Sequence, residues 1–179
     1  MRKYRTAMLA AIILIGGSCT KNTYSTFCTS HPVLFSFDIS EPPFNTAAGM
    51  GSFITVRKSG STLMVVDADG HESRAEMSEE QRQYTLLGLG GLILGTPALD
   101  NFECKVFAYD LACPVCDMAN MTTSRLRIDG TGTASCRKCG TTFDLNNNGF
   151  VISTEKEETR PLYRYVTRTT FSDVIVSNN

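Results

Sequence analysis

Cys113-Pro114-Val115-Cys116 and Cys136-Arg137-Lys138-Cys139-Gly140 are two Cys-x-x-Cys units with 19 residues between them. A two-residue spacer lets both thiolates of a unit turn toward one point, and the glycine after the second unit permits a positive φ. Brought together, two such knuckles make a cage of four sulfurs for Zn2+ or iron, and the intervening length suits a zinc ribbon. Disulfides, within each unit or across the two, are the metal-free alternative. A thioredoxin-like redox motif needs a helix behind its cysteines, and the residues after Cys116 and Cys139 do not read as helical.

The start of the chain decides the compartment in which these thiols are read. Arg2, Lys3 and Arg5 precede an uninterrupted apolar run from Ala7 to Ile15, and Gly16, Gly17 and Ser18 lead to Cys19. That is the layout of a secretory signal, too short to span a bilayer. Small residues before a cysteine resemble a bacterial lipobox, with Gly16 where leucine is usual, so residues 1–18 are expected to be removed and Cys19 lipidated. The residues after it, Thr20-Lys21-Asn22, lack an acidic cluster, which points to the periplasmic side of a bacterial envelope. Loss of residues 1–18 removes three positive charges and no negative ones, taking the formal charge from -1 to -4. Such a balance argues against a nucleic-acid-binding surface. Beyond Cys19 and the two units, Cys28 and Cys104 remain, a pair that a disulfide would join or that would stay as separate thiols.

Residues 19–32 are rich in Ser, Thr and Asn without apolar period, the composition of a flexible tether. From Val33 the signals are mostly β. Short strands are expected at Val33–Ile39, Ser52–Arg57, Thr62–Val66, Leu89–Leu94, Lys105–Tyr109, Arg125–Ile128, Thr141–Leu145, Phe150–Ser153 and Leu162–Val166. Only Ser78–Leu87 reads as helical, with Ser78 as its cap. The expected fold is all-β, an antiparallel sandwich or small barrel. Its domain would occupy 33–170, with a metal lobe at about 107–146 and a C-terminal tail at 171–179.

The stretch Phe107-Ala108-Tyr109-Asp110-Leu111-Ala112-Cys113-Pro114, then Leu126-Arg127-Ile128, then Gly132 to Leu145 around the second unit, and Arg160-Pro161-Leu162-Tyr163-Arg164-Tyr165-Val166, resembles the Rieske iron-sulfur family. It looks most like the short exported Rieske-like lipoproteins of Bacteroides-type bacteria. The resemblance is good over residues 88–167 and weak over most of the remaining mature chain. It implies a β-sandwich or small barrel carrying a rubredoxin-like, zinc-ribbon-like lobe with two ligand loops, and in the family a [2Fe-2S] cluster used for electron transfer. The family's ligand set does not carry over. A Rieske centre takes one Cys and one His per loop, whereas Val115 and Cys139 stand at the two histidine positions. The chain's two histidines, His31 and His71, are expected in the tether and in a solvated turn, neither near a ligand loop.

The expected ligands are therefore Cys113, Cys116, Cys136 and Cys139, holding structural Zn2+ or, alternatively, a single iron or a [2Fe-2S] cluster of low potential. Zinc is preferred because both knuckles converge on one ion and the centre needs no cytoplasmic assembly machinery. Four protein ligands leave no position open for substrate, and no other catalytic constellation is present, so a non-enzymatic role is expected. Partners would be the membrane, through the anchor at Cys19, and a redox or envelope protein. Asp67, Asp69, His71 and Glu72 lack the spacing of a calcium loop and read as a turn. Gly88, Gly90, Gly91 and Gly95 lack the Lys-Ser/Thr of a phosphate loop and fit a backbone packed closely against another.

Overall fold

The computed structural model describes residues 27–99, 103–119 and 123–178. The expected signal segment and Cys19 lie outside them. The described residues form two antiparallel sheets and a few short helices, an all-β chain.

The larger sheet has nine strands: β1 (Val33–Asp38), β2 (Ser52–Ser59), β3 (Thr62–Asp67), β4 (Glu72–Glu76), β5 (Leu86–Leu87), β6 (Leu92–Thr96), β7 (Phe107–Asp110), β12 (Arg164–Thr170) and β13 (Asp173–Ser177), in the order β4-β3-β2-β6-β7-β12-β13-β1-β5. Between β7 and β12 the chain leaves it to build the smaller sheet, β8 (Arg127–Ile128), β9 (Thr133–Ser135), β10 (Thr142–Asp144) and β11 (Phe150–Ser153), in the order β11-β10-β9-β8. Both Cys-x-x-Cys units lie within this insertion.

Alternation along the strands assigns each residue to one of two cores. In β1, Val33, Phe35 and Phe37 point inward while Leu34 and Ser36 face out. They join Ile54, Val56, Leu63, Val65, Leu92, Leu94, Tyr165, Val174 and Val176 in one cluster drawn from both ends of the nine-stranded sheet. That sheet therefore curls so that one face packs on itself. Phe53, Ile93 and Tyr109 point the other way and form a second cluster with Leu126, Phe143, Leu145, Leu162 and the four cysteines. β6 serves both cores, which is why all five of its residues are buried.

The expected helix appears as α1 (Glu79–Tyr84), with a reciprocal capping box: Gln81 N donates to Ser78 Oγ at 3.1 Å and Ser78 N to Gln81 Oε1 at 3.0 Å.

Several expectations need correction. Residues 171–179 are not a tail, because Asp173–Ser177 is β13, paired with β12 on one side and β1 on the other. The tether does not run to residue 32: Cys28 is buried, its N–H donates to Arg164 O at 2.8 Å, and Asn178 Nδ2 donates to the carbonyls of Cys28 and His31, both at 2.9 Å. β4, β5 and β9 were not expected as strands. A helix not expected in the first cysteine unit does form, the five-residue α2 (Pro114–Met118), which contains Cys116 and ends two residues beyond it, with Pro114 preset for its first turn. Of the two alternatives left open for Cys28 and Cys104, the structure has the separate thiols, one packed in the larger core and the other exposed.

Candidate metal centre

Asp110 ends β7 and aims the first cysteine loop. Its carboxylate is fully buried and accepts four hydrogen bonds: Oδ1 from Gly90 N (3.0 Å) and Ala112 N (2.7 Å), Oδ2 from Leu89 N (2.7 Å) and Tyr165 Oη (2.6 Å). One side chain thus ties the Gly88–Gly91 turn, the approach to Cys113 and strand β12 together. The glycines are required here. Gly88 has φ +69°, and a Cβ on it would lie 2.4 Å from both Asp110 Oδ2 and Tyr165 Oη; a Cβ on Gly90 would lie 2.6 Å from Ala112 N.

Cys113 then caps α2, and Asp117 N donates to Cys113 O at 3.1 Å. In the second loop Gly140, at φ +73°, returns its N–H to Cys136 O at 2.9 Å, and Cys136 N donates to Thr141 O. Both loops aim backbone amides at their first sulfur: that of Cys116 at Cys113, and those of Lys138 and Cys139 at Cys136. This is the knuckle geometry that the spacing implies.

The two loops converge. All four Sγ atoms lie within 4.8 Å of one another, with Cys113–Cys139 at 3.6 Å and Cys116–Cys136 at 3.7 Å. A tetrahedral ion with metal–sulfur bonds of about 2.3 Å has sulfur–sulfur edges of about 3.8 Å. The four cysteines can thus hold a metal ion. Cys113, Cys116 and Cys136 are 1%, 0% and 2% exposed, and Cys139 is 7% exposed. Two hydroxyls not expected from the sequence touch the cage: Ser124 Oγ lies 3.4 Å from Cys136 Sγ, and the Cys139 thiol donates to Thr141 Oγ1 at 3.2 Å.

Electrostatics divides the thiols unequally. Burial pushes Cys113 far above its ordinary range, and Cys136 adds to this against the Cys116 amide. Burial, with hydrogen bonds to Cys136 and Cys139, raises Cys116 to about 11. Burial also acts upward on Cys136, but the Ser124 hydroxyl and the amides of Cys139 and Lys138 outweigh it and bring that thiol down to about 7. Four adjacent thiolates in a buried site need a cation to exist together.

His31 corrects another expectation, since it does meet a ligand loop. Its Nε2 lies 3.6 Å from Asp117 Oδ2, and its ring stands edge-on to Tyr163 with centroids 5.0 Å apart. Tyr163 Oη also donates to Asp117 Oδ2, at 2.5 Å. Asp117 follows Cys116 directly, so the N-terminal segment and the stretch before β12 are both fastened to the first loop.

Asp67, Asp69 and His71 also come within 4.8 Å of one another. They sit in the β3–β4 turn, where Asp67 Oδ1 accepts Asp69 N and His71 N and Oδ2 meets His71 Nδ1 at 3.1 Å. These contacts shape the turn. No family model, no curated protein and no solved structure matches the chain.

Proposed function

We propose that the chain is an exported, lipid-anchored envelope protein of Rieske-like architecture whose four cysteines hold one metal ion as a structural clasp, zinc ahead of iron. The observation that carries this is the cage itself: four buried sulfurs, two from each loop, at the edge lengths of a single tetrahedral ion. A two-iron cluster takes its thiolates as two pairs on separate irons, with bridging sulfides between them, and asks for a longer cage. Insertion of a small sheet with both loops between two strands of a larger one is the arrangement that the Rieske resemblance implies, and it supports that part of the reading.

With four protein ligands the ion has no open position, so it binds no substrate and its binding energy is folding energy. Zinc, which has no redox chemistry, suits a clasp of this kind. The second reading, a one-electron carrier with a single iron, is favoured by the slight exposure of Cys139, which brings one ligand near the surface.

Metal analysis and a visible spectrum of the purified, aerobically handled protein separate the readings. Colourless protein with one equivalent of zinc is expected. A coloured iron centre establishes the carrier, and absence of metal with all four thiols oxidised overturns both.

A further inference from the structure

The four sulfurs are buried, and Cys139 is the least buried of them. A pocket of about 180 Å³ opens beside Cys139, lined also by Val115, Met118, Ala119, Lys156, Glu157 and Glu158. It is the only one of the four cysteines in that lining, and the most exposed of them. Access, together with thiolate character, decides which cysteine of a cluster reacts. Across the cage from Cys139, at 3.6 Å, stands Cys113, on the other loop.

We propose that Cys139 is the thiolate through which this centre reacts with a small disulfide, and that its reaction closes a cross-loop Cys113–Cys139 bond and releases the metal. This rests on the metal reading above. The Cys139 thiolate attacks one sulfur of the reagent, whose S–S bond breaks and expels a thiolate. The Cys113 thiolate then attacks Cys139 Sγ, forms the new S–S bond and expels the second thiolate. The reagent gains two electrons and the two cysteines lose them. The ion keeps only Cys116 and Cys136, half of the ligands that a closed site requires, and dissociates. The mouth carries Lys156, Glu157 and Glu158, so a neutral, flat reagent enters more readily than an anionic one.

Dipyridyl disulfide is the probe, added in one equivalent to the zinc-loaded full chain carrying Cys104→Ser, which removes the exposed free thiol that would otherwise take the reagent, with release followed by a colorimetric zinc chelator and products mapped by peptide mass spectrometry. The first mixed disulfide is expected on Cys139 and the final bond between Cys113 and Cys139, with zinc appearing as that bond forms. Ala119→Trp, at an exposed position on the mouth, should slow release about tenfold by restricting access, whereas Ile175→Trp on the outer face of β13 should leave the rate unchanged. First reaction at Cys113, Cys116 or Cys136, or a final Cys136–Cys139 bond, overturns the proposal, as does an unchanged rate in a folded Ala119→Trp protein. The order of labelling among the four cage cysteines needs no substitution at the mouth or in the cage. Protein that purifies without metal overturns the metal reading alone, and labelling of the reduced chain then still decides whether Cys139 reacts first.

Discussion

Tyr165 donates its phenolic proton to Asp110 Oδ2 across 2.6 Å, at a carboxylate with no exposure to solvent. The bond joins β12, where the chain re-enters the larger sheet, to the last residue before the first cysteine loop. Three backbone N–H groups share the same carboxylate. Every contact has Asp110 as acceptor, so the site tolerates no donor in its place. Tyr165→Phe should cost about 1–3 kcal/mol, the range for a hydrogen bond to a charged or buried acceptor. Asp110→Asn should cost more, because its NH2 would face N–H groups that have no other partner. Urea unfolding of the two variants checks the order, and equal midpoints would contradict it.

Gly90 supplies a test of how tightly the turn supports the loop. A Cβ there would lie 2.6 Å from Ala112 N and 3.0 Å from Ala112 Cα, both backbone atoms that cannot move without shifting Cys113. Gly90→Ala should therefore lower stability by about 1–3 kcal/mol, the usual cost of overpacking. It should also weaken zinc binding measured by competition with a chelator. Gly60→Ala, where a Cβ meets nothing within 4 Å although φ is +61°, should affect stability alone.

Removing the metal should expose how much of the fold depends on it. If zinc is the clasp, Cys139→Ser and treatment of the wild type with a strong chelator should each lower the melting temperature, with a loss of several kcal/mol, roughly, since structural zinc contributes folding energy directly. Chelator should then add little to the variant. Calorimetry with and without chelator reads both effects, and superimposable melting curves would contradict a structural role.

The four-cysteine cluster was legible because each knuckle is local: two cysteines and a short turn, with Gly140 after the second, sit within a few residues of one another. The helix cap at Ser78 was legible for the same reason. What escaped is long-range. Asp110 reads as any strand-end aspartate until Leu89, Gly90 and Tyr165 surround it. His31 meets Asp117 only after residues 27–32 settle on β12. Helix α2, at five residues, is too short to display a helical period.

The pH response of the metal-free, reduced protein follows from its buried acids. Burial raises Tyr109, Tyr163 and Tyr165 above their ordinary 10.0 and Cys116 from 9.0 to about 11. A folded-state value above the unfolded one means stability that is complete below the unfolded value and is lost as pH rises past it, here from 9 upward. Cys136 has the opposite sign: brought down to about 7, it contributes stability that is present above 9 and lost as pH falls through 7. Urea midpoints should therefore climb between pH 7 and 9 and fall beyond it, and Cys136→Ser should flatten the climb.

The strand at the end of the chain gives the sharpest distinction between a tail and a structural element. Val174 and Val176 are fully buried, and β13 lies between β12 and β1 with pairings on both edges. Beyond it, Asn178 accepts Val33 N at 2.7 Å and donates to the carbonyls of Cys28 and His31. Removal of residues 171–179 would expose the facing side chains of β1 and β12 and leave two ladders unpaired. Burial of the two valines alone is worth about 1.5–3 kcal/mol each, a large share of the roughly 5–15 kcal/mol that holds a domain together. A chain ending at Thr170 should fail to fold, as read by loss of amide protection across β1 and β12. Asn178→Ala should fold and lose protection chiefly over residues 28–33, and a truncated chain with native exchange rates would show that β13 is dispensable.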